Sequence, residues 1–121
     1  MKSEHLIQQE IQLHTADEAV LFRTNAGKFW QGKLVWSKEY KQKVLINLSP
    51  IEGLPDGYSD LSGVRKSDGR AVFIEVKRKD GVVKPKQEQF LKAMAEWGAL
   101  TGVARSVEDA RRIIEDGLDR T

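Results

Sequence analysis

Apolar residues near the N-terminus recur at a helical period. The segment "SEHLIQQEIQLH" carries Leu6, Ile7 and Ile11 on one broad apolar side, which predicts an amphipathic helix. Two strand-like segments follow at about 28–36 and 43–48, separated by the polar stretch "SKEYKQ". We therefore expect an N-terminal helix and then a pair of strands.

A proline- and glycine-rich loop, "SPIEGLPDG", separates this pair from a second pair of strands. The second pair is "YSDLSGVR" and "RAVFIEVKR", joined by "KSDG". The dipeptide Asp68-Gly69 is the strongest short hairpin signal in the chain, and it predicts a two-residue turn between Ser67 and Arg70.

The C-terminal part of the chain alternates helix, strand and helix. Pro85 begins a predicted helix over about 86–96 and Gly98 ends it. The stretch "ALTGVAR" predicts a short buried strand, and "SVEDARRIIEDGL" predicts a final helix capped by Ser106. Because a strand, a helix and a strand in succession form a right-handed crossover, the last strand should lie parallel to its neighbour. The predicted order is α-β-β-β-β-α-β-α, an α/β (α+β) fold with a mixed β-sheet flanked by helices.

The most apolar of these strands contains two charges. Successive side chains of a strand point to opposite faces, so the two faces of "VFIEVK" differ in character. Val72, Ile74 and Val76 share a core face. Phe73, Glu75 and Lys77 share the other face, which is either a solvated surface or a chemical site.

The predicted Asp-Gly turn places a second carboxylate beside this charged face. In that register Ser62 lies opposite Glu75 and Asp60 lies opposite Lys77, so Asp60 and Glu75 are diagonal neighbours, roughly 6 to 8 Å apart at Cβ. Two carboxylates at that separation can share a divalent ion. A longer turn would shift this register, so the geometry depends on the turn.

Length and composition fit one soluble domain. The chain has 121 residues, of which 40% are apolar and 31% charged, so we expect a single domain over residues 1–121. No apolar run approaches the ~20 residues that span a bilayer, and the N-terminus lacks the pattern of a secretory signal, so we expect no membrane contact and a cytoplasmic location. The absence of cysteine favours oxygen ligands for any metal ion, and hence Mg²⁺ or Mn²⁺.

Charge is unevenly distributed, although the net charge is only +2. Residues 28–43 carry five lysines against one glutamate, and residues 77–86 carry five basic residues against one aspartate. Residues 108–119 have five acids against two arginines. One basic face suits a polyanion such as DNA. The alternative is that the lysine-rich hairpins are soluble edge strands.

The residues Asp60, Glu75 and Lys77 together suit the hydrolysis of a phosphodiester. That reaction needs a metal ion to neutralise developing charge and a water molecule made nucleophilic near neutral pH. Two carboxylates can hold the ion, while a lysine can orient the water and stabilise negative charge in the transition state. A lone Glu-x-Lys pair is more often a surface ion pair. The neighbouring aspartate and the apolar strand favour a site here.

A glutamine in the predicted helix points toward the same place. Gln87, Leu91 and Met94 lie at i, i+4 and i+7, which puts the amide on the sheet-facing side. A buried amide needs hydrogen-bond partners, and a carboxylate, a water molecule or a DNA phosphate would provide them. Local backbone groups are the alternative partners.

Three of these segments resemble a known family. The stretches "GYSD" at 57–60, "IEVK" at 74–77 and "KQEQFL" at 86–91 are similar to the PD-(D/E)xK nuclease signature, specifically its VRR-Nuc branch of virus-type replication-repair nucleases. The stretches "EHLIQ", "FRTNAG" and "RSVEDA" resemble stand-alone phage or bacterial members, so the similarity spans nearly the whole chain.

The resemblance implies a restriction-endonuclease-like core and Mg²⁺- or Mn²⁺-dependent cleavage of DNA. It also implies a homodimer that acts on branched substrates such as four-way (Holliday) junctions. The corresponding location is the bacterial cytoplasm or a phage-infected host cell.

The resemblance further implies roles for individual residues. Asp60 and Glu75 would ligate the metal ion, with the carbonyl group of Val76 as a further ligand. Lys77 would position or activate the attacking water, and Gln87 would orient the site.

A carboxylate from the N-terminal helix would complete the metal site. The Glu-x-x-Ile-Gln spacing assigns this role to Glu4, whereas helical periodicity favours Glu10, which lies on the apolar side of the helix. Ser59 stands where many relatives have proline, a departure that affects loop rigidity more than chemistry.

Several residues near these motifs are candidates for DNA contact. Arg23 and Asn25 lie in a loop that resembles the family's and can hold a phosphate, although an ordinary turn fits equally well. The basic candidates are Lys28, Arg78, Lys79 and Lys86. The three tryptophans, Trp30, Trp36 and Trp97, fit the core or a dimer surface better than a base-stacking role.

Two functional classes remain open. The first is a metal-dependent, structure-selective endonuclease that cuts four-way junctions as a symmetric dimer. The second is a non-catalytic DNA-binding module that uses the nuclease fold as a scaffold. A nuclease of the same chemistry that acts on flaps, nicked duplex or a restriction target is a variant of the first.

Overall fold

The computed structural model describes residues 1–24 and 28–118, without the side chain of Lys28. In chain order the described elements are α1 (Glu4–His14), β1 (Ala19–Arg23), β2 (Lys28–Ser37), β3 (Gln42–Glu52), β4 (Leu61–Arg65), β5 (Ala71–Val76), α2 (Pro85–Glu96), β6 (Leu100–Ala104) and α3 (Val107–Glu115). The predicted α/β class is confirmed. The predicted order is wrong by one strand, because it does not include β1, whose five residues follow the helix after a short turn and alternate too briefly to predict a strand.

Four strands form one mixed sheet in the order β1-β4-β5-β6. The pairs β1-β4 and β4-β5 are antiparallel, and β5-β6 is parallel. Helix α2 makes the crossover between the two parallel strands, as the helix between two apolar strands predicts. The arrangement is compatible with a restriction-endonuclease-like core.

The hydrophobic core lies on one face of this sheet, under α1 and α3. Val72, Ile74 and Val76 of β5 have no exposed surface, which confirms their assignment to the core face. Ile11 from α1 and Ile114 from α3 complete the same cluster. The opposite face of β5 is therefore free to carry Glu75 beneath α2.

The turn between β4 and β5 is longer than the predicted two-residue turn. The N–H of Arg65 donates to the carbonyl of Arg70 at 2.8 Å, so residues 66–69 form the turn. Arg65 is buried and donates two hydrogen bonds to the carboxylate of Asp68, at 3.1 and 2.6 Å, and two more to carbonyl groups at the end of α3. These bonds from Arg65 hold the pKa of Asp68 at about 2. Asp68 thus binds a buried arginine instead of taking a central position in a tight turn.

The longer turn shifts β4 by two residues along β5. Ser62 lies opposite Phe73, so the predicted pairing of Ser62 with Glu75 is wrong. An even shift keeps every side chain on its predicted face. The next step of the ladder places Asp60 across from Glu75, and not across from Lys77 as predicted.

Strands β2 and β3 form a separate two-stranded sheet, here called the ribbon (residues 28–52). The predicted loop at 49–57 is wrong for its first residues, because β3 continues to Glu52. A bulge lies at Gly32, where a Cβ atom would come within 2.4 Å of the carbonyl oxygen of Ile46. The tryptophans were expected in the core or at a dimer surface, and the core is excluded: Trp30 and Trp36 on the ribbon, and Trp97 after α2, are all exposed.

Among the described residues, the helices are too short and too polar to cross a bilayer.

Candidate active site

The candidate site lies where β5 ends and β4 begins. Asp60 immediately precedes β4, and its Oδ2 accepts a hydrogen bond from the N–H of Val76 at 2.8 Å. This bond places the Asp60 carboxylate at the C-terminal end of β5, next to the strand position of Glu75. Two carboxylates from adjacent strands therefore meet at one edge of the sheet.

The residues before β4 hold Asp60 in position. Ser59 is fully buried, and its hydroxyl donates to the carbonyl of Leu61 at 2.9 Å. Thr24 follows β1 and bonds the same segment twice: its hydroxyl donates to the carbonyl of Ser59, and its N–H donates to the carbonyl of Asp60 at 2.9 Å. A proline at position 59 would lack this hydroxyl, so hydrogen bonds here replace the rigidity that a proline ring supplies.

Glu75 is the most deeply buried carboxylate of the site, with 2% of its surface exposed. Its Oε1 accepts a hydrogen bond from Nε2 of Gln87 at 2.9 Å and lies 3.8 Å from Nζ of Lys77. Its Oε2 is buried and has no hydrogen-bond partner among the described residues. A buried oxygen without a partner is costly, and a cation would satisfy it.

Burial, and after it the negative charge of Asp60, raise the pKa of Glu75 to about 8. The ammonium of Lys77 acts in the opposite direction and is outweighed. Without a cation, Glu75 therefore retains a proton at neutral pH.

Gln87 is fixed at both ends of its amide. It lies in the first turn of α2, where its Oε1 accepts from the N–H of Lys84 at 2.9 Å while its Nε2 donates to Glu75. Leu91, one turn further along, is buried, and Met94 is half-buried, which confirms that this side of α2 faces the sheet. Both partners proposed from the sequence, a carboxylate and local backbone, are present at once.

Lys77 is buried directly after β5, with 7% of its surface exposed. Its N–H donates to the carbonyl of Ala104 at 3.0 Å, which continues the parallel pairing of β5 and β6 by one step. A buried ammonium needs polar or charged groups beside it, and the carboxyl group of Glu75 is one of them, with its Oε1 3.8 Å from Nζ. Strand pairing thus holds Lys77 at the carboxylate pair.

The two helix glutamates have different surroundings. Glu4 lies in the first turn of α1, and its Oε2 is 3.4 Å from the N–H of Arg78, the residue after Lys77. Glu10 instead forms an ion pair with Lys2 at 2.9 Å. Glu4 is therefore placed beside the candidate site, while Glu10 is engaged elsewhere.

Sequence reasoning assigned no role to Arg105, which follows β6. Its Nη1 donates to three carbonyl groups of the loop after Lys77, those of Arg78 at 2.7 Å, Lys79 at 3.3 Å and Gly81 at 2.8 Å. Parallel strands end at the same edge of a sheet, so an arginine directly after β6 reaches the loop directly after β5. That position, in the quoted stretch "RSVEDA", is the signal that could have identified it.

The basic candidates for DNA contact are exposed. Arg78 forms an ion pair with Asp80 at 3.0 Å, and Lys86 forms one with Asp56 at 3.1 Å. Lys79 lies between them in the loop and is exposed. Exposed ion pairs of this kind are weak, so a DNA phosphate can compete with the aspartates for Arg78 and Lys86.

Arg23 lies at the end of β1, opposite Leu61, and its Nε donates to Oε1 of Gln8 at 3.1 Å. Asn25 lies outside the described residues. Lys28 begins β2, but its side chain also lies outside the description.

The two carboxylates of the site suit a small divalent ion, although they supply only some of its ligands. Within residues 1–24 and 28–118, no three side chains of His, Cys, Asp or Glu are grouped to hold a metal ion. Mg²⁺ commonly takes only one or two carboxylates and keeps water molecules or substrate phosphate oxygens as its other ligands. Asp60 and the unpartnered oxygen of Glu75 meet that requirement.

A comparison with protein families matches residues 37–108 to the VRR-NUC domain. The matched region contains Asp60, Glu75, Lys77 and Gln87, and it stops short of α1 and β1. No curated protein matches the chain.

Proposed function

The chain belongs to the VRR-NUC domain family of PD-(D/E)xK-type nucleases, which act on DNA, and from this premise we propose that it is a divalent-metal-dependent endonuclease that resolves four-way (Holliday) junctions. The observation that carries the proposal is the meeting of Asp60, Glu75, Lys77 and Gln87 at the end of β5. Two carboxylates, a buried ammonium and an orienting amide are the groups that phosphodiester hydrolysis needs.

In the proposed mechanism, Asp60 and Glu75 hold a Mg²⁺ or Mn²⁺ ion, with the Val76 carbonyl and Glu4 as further ligands. When bound, the ion supplies charge stabilisation for the phosphate and a more acidic water molecule. The protein prepares this site by keeping one oxygen of Glu75 free of hydrogen bonds.

Lys77 has two tasks in this proposal. Its ammonium orients the attacking water by donating a hydrogen bond, and it stabilises negative charge on the phosphate oxygens as the water attacks phosphorus. The attacking water gives up a proton to the solvent, the bond from phosphorus to the leaving sugar oxygen breaks, and that oxygen takes up a proton from the solvent. Because Lys77 is held by backbone pairing with Ala104, its position does not depend on the substrate.

Gln87 is a positioning residue in this scheme. Its hydrogen bond occupies Oε1 of Glu75 and leaves Oε2 as the oxygen that would bind an ion. Its second bond, to the backbone at Lys84, fixes the amide orientation so that nitrogen and not oxygen faces Glu75.

DNA reaches the site from its exposed rim. We assign backbone phosphate contacts to Arg23, Arg78, Lys79 and Lys86, with Asn25 and Lys28 as further candidates. The preference for a branched substrate rests on the resemblance to stand-alone phage and bacterial members. A symmetric pair of cuts requires two sites, and hence a homodimer.

The test is cleavage of labelled four-way junction, flap, nicked duplex and linear duplex, each with Mg²⁺, Mn²⁺ or EDTA. We expect paired cuts in the junction, weaker or absent cutting of linear duplex, and no cutting in EDTA. Equal cutting of all four substrates would remove the junction assignment and leave a general nuclease.

The matched variants are Lys77→Ala and Lys92→Ala. Lys92 is an exposed lysine of α2 with no role in the site, so its removal controls for the loss of one positive charge. We expect Lys77→Ala to abolish cutting while Lys92→Ala cuts like the parent. If both variants retain cutting, the assignment of the site is wrong. Salt-sensitive binding without cutting by the parent protein would instead indicate a non-catalytic DNA-binding module.

A further inference from the structure

Three aromatic rings pack together beneath α2, on the face of the sheet that carries Glu75; they are here called the aromatic cluster (Tyr58, Phe73 and Phe90). The ring centroids of Tyr58 and Phe90 are 4.6 Å apart, and those of Phe73 and Phe90 are 5.4 Å apart. Tyr58 and Phe73 meet edge to face, with centroids 5.9 Å apart. All three side chains are half-buried, and they lie outside the hydrophobic core on the opposite face of the sheet.

Each ring of the cluster is two or three residues along the chain from a side chain of the candidate site. The pairs are Phe73 with Glu75 on β5, Phe90 with Gln87 on α2, and Tyr58 with Asp60 before β4. Side chains two residues apart in a strand share a face, and side chains three residues apart in a helix share a side. The same three segments therefore meet twice, once through the rings and once through the polar groups of the site.

Helix α2 has little other anchorage on the sheet. All of its residues are described, and Leu91 is the only one of them that is buried. Helices α1 and α3, by contrast, each bury two apolar residues. The distance between α2 and β5, and with it the hydrogen bond from Gln87 to Glu75, therefore depends on the ring contacts.

A turn directly before the cluster adds a second contact with α2. The N–H of Tyr58 donates to the carbonyl of Pro55 at 3.1 Å, and Gly57 has a φ of +93°, which favours glycine at this position of a turn. Gly57 is buried, and a Cβ atom there would come within 2.6 Å of the carbonyl oxygen of Lys86, the residue before Gln87. Because it has no side chain, Gly57 lets the turn lie directly against the first turn of α2.

From these contacts we propose that Gly57 and the aromatic cluster are positioning residues for the nuclease site. They set how closely α2 approaches β5 and the segment before β4, and they thereby fix the spacing of the amide and the two carboxylates. They act by packing, since other residues supply the polar groups of the site. Their effect on cleavage rests on the proposed function, whereas their effect on metal binding requires only the two carboxylates.

A role in stability alone is the alternative. Aromatic rings that pack together stabilise a fold wherever they lie. Such a role predicts that a variant loses cleavage only in proportion to the folded protein that it loses. Catalysis is more sensitive to spacing, because a misplacement of about 1 Å can cost about 100-fold in rate. The comparison is therefore made between rates per folded molecule, with folding checked by circular dichroism.

Tyr58→Leu and Tyr58→Phe test the cluster. The phenylalanine keeps the ring and loses only a long hydrogen bond, 3.4 Å, to the hydroxyl of Ser62. We expect Tyr58→Leu to lower the single-turnover rate on a saturating four-way junction by roughly 10- to 100-fold, and Tyr58→Phe to restore it to within about 3-fold of the parent. Ile114→Val truncates the hydrophobic core under α3 and controls for lost stability. A loss in Tyr58→Leu no larger than in Ile114→Val overturns the proposal.

Gly57→Ala and Gly98→Ala form a matched pair. The two glycines have similar positive φ values, +93° and +98°, so both substitutions strain the backbone alike. Gly98 follows the other end of α2, and a Cβ atom there would meet no described atom within 4 Å. Only Gly57→Ala pushes against α2, so we expect its rate to be at least about 10-fold below that of Gly98→Ala. Equal rates in the two variants overturn the role of Gly57.

A second readout does not use cleavage. Binding of Mn²⁺ without DNA, measured by titration calorimetry, reports the spacing of the carboxylates. We expect Tyr58→Leu to bind Mn²⁺ roughly 10-fold more weakly than the parent, because residues that hold metal ligands in place affect affinity to about this extent. Tyr58→Phe and Ile114→Val should bind Mn²⁺ like the parent.

The two readouts separate the role of the cluster from the proposed function. A parent protein that cuts no DNA refutes the proposed function, and the cluster is then judged by Mn²⁺ affinity alone, where equal affinities of the parent and Tyr58→Leu overturn its role. A parent that cuts junctions, with all variants cutting alike, keeps the proposed function and overturns the role of the cluster. A parent that neither cuts DNA nor binds Mn²⁺ overturns both.

Discussion

Strand β5 and the ribbon are both rich in apolar residues, yet they have opposite surroundings. In β5 the core face is wholly buried, and even Glu75 and Lys77 on its other face are almost fully enclosed. In the ribbon no described residue is buried. The difference arises because β5 lies between β4 and β6 with helices above and below, whereas the ribbon has only two strands. An apolar composition therefore predicts that a strand gains stability from burial. Whether the strand is buried within one chain depends on the strands and helices that pack around it.

The largest expected effect is on the rate of DNA cleavage, and it comes from a change at the end of β5. We expect Glu75→Gln to reduce the rate of cleavage by at least about 10³-fold, because the charge that holds the ion is lost while the side-chain shape is kept. The single-turnover rate on a labelled junction measures this. Leu13→Gln, a change on an exposed residue far from the chemistry, should leave the rate unchanged. A comparable loss in both variants would contradict the assignment.

The second largest effect is on the free energy of unfolding, which truncation of a side chain should lower more in β5 than in the ribbon. Ile74→Ala, at a fully buried position of β5, should lower the free energy of unfolding by about 3 kcal/mol through lost burial and the cavity left behind. Leu34→Ala, on the exposed face of the ribbon, should lower it by less than about 0.5 kcal/mol. Urea unfolding at a protein concentration low enough to keep both variants monomeric gives the comparison. Equal losses of unfolding free energy in the two variants would mean that Leu34 contributes to stability as much as a core residue does.

The buried carboxylate should make stability depend on pH. The pKa of Glu75 is about 8 in the folded protein, against an ordinary value of 4.5, so the folded state holds a proton that the unfolded state releases. Its contribution to stability is therefore fully present below about pH 4.5 and is lost as the pH rises toward 8.

Glu75→Gln removes this pH dependence. In EDTA, we expect the variant to be more stable than the parent at pH 8 by on the order of 2 kcal/mol, and to match it at pH 4.5. Unfolding in urea at the two pH values measures the change. A constant difference between the two proteins at both pH values would mean that Glu75 does not titrate in this range.

The smallest expected effect concerns the loop after Lys77. Arg105→Ala removes three hydrogen bonds to that loop, so Arg78 and Lys79 lose their fixed position. We expect a roughly 10-fold weaker binding of junction DNA, about 1.4 kcal/mol, with a smaller change in the cleavage rate at saturating DNA. Arg112→Ala, at an exposed arginine of α3, is the matched control. A loss confined to the cleavage rate would place Arg105 in the chemistry instead.

Much of the candidate site could be predicted from the sequence, because side-chain alternation survives errors in register. Asp60 and Glu75 lie on one face for any even shift of β4 along β5. Gln87 followed from helical spacing and reaches Glu75 in the structure. Their roles in catalysis remain proposals.

Other features could not be predicted, because distant residues decide them. The turn length depends on Arg65, which is buried against the end of α3 and holds Asp68 away from a tight turn. The choice between Glu4 and Glu10 depended on where α1 lies relative to the loop after β5, and periodicity along one helix contains no such information. Arg105 acts on a loop 24 to 27 residues away in the chain.

The sequence by itself determined which residues share a face, which segments form the crossover of β5, α2 and β6, and that a carboxylate and an ammonium lie two residues apart in the most apolar strand. These are local properties, since backbone geometry repeats every two residues in a strand and every 3.6 in a helix. The tertiary structure decided that Asp60 lies across from Glu75, that one oxygen of Glu75 is buried without a partner, and that the ribbon is left uncovered. Those outcomes depend on which elements pack together, because burial and pairing are properties of neighbours in space.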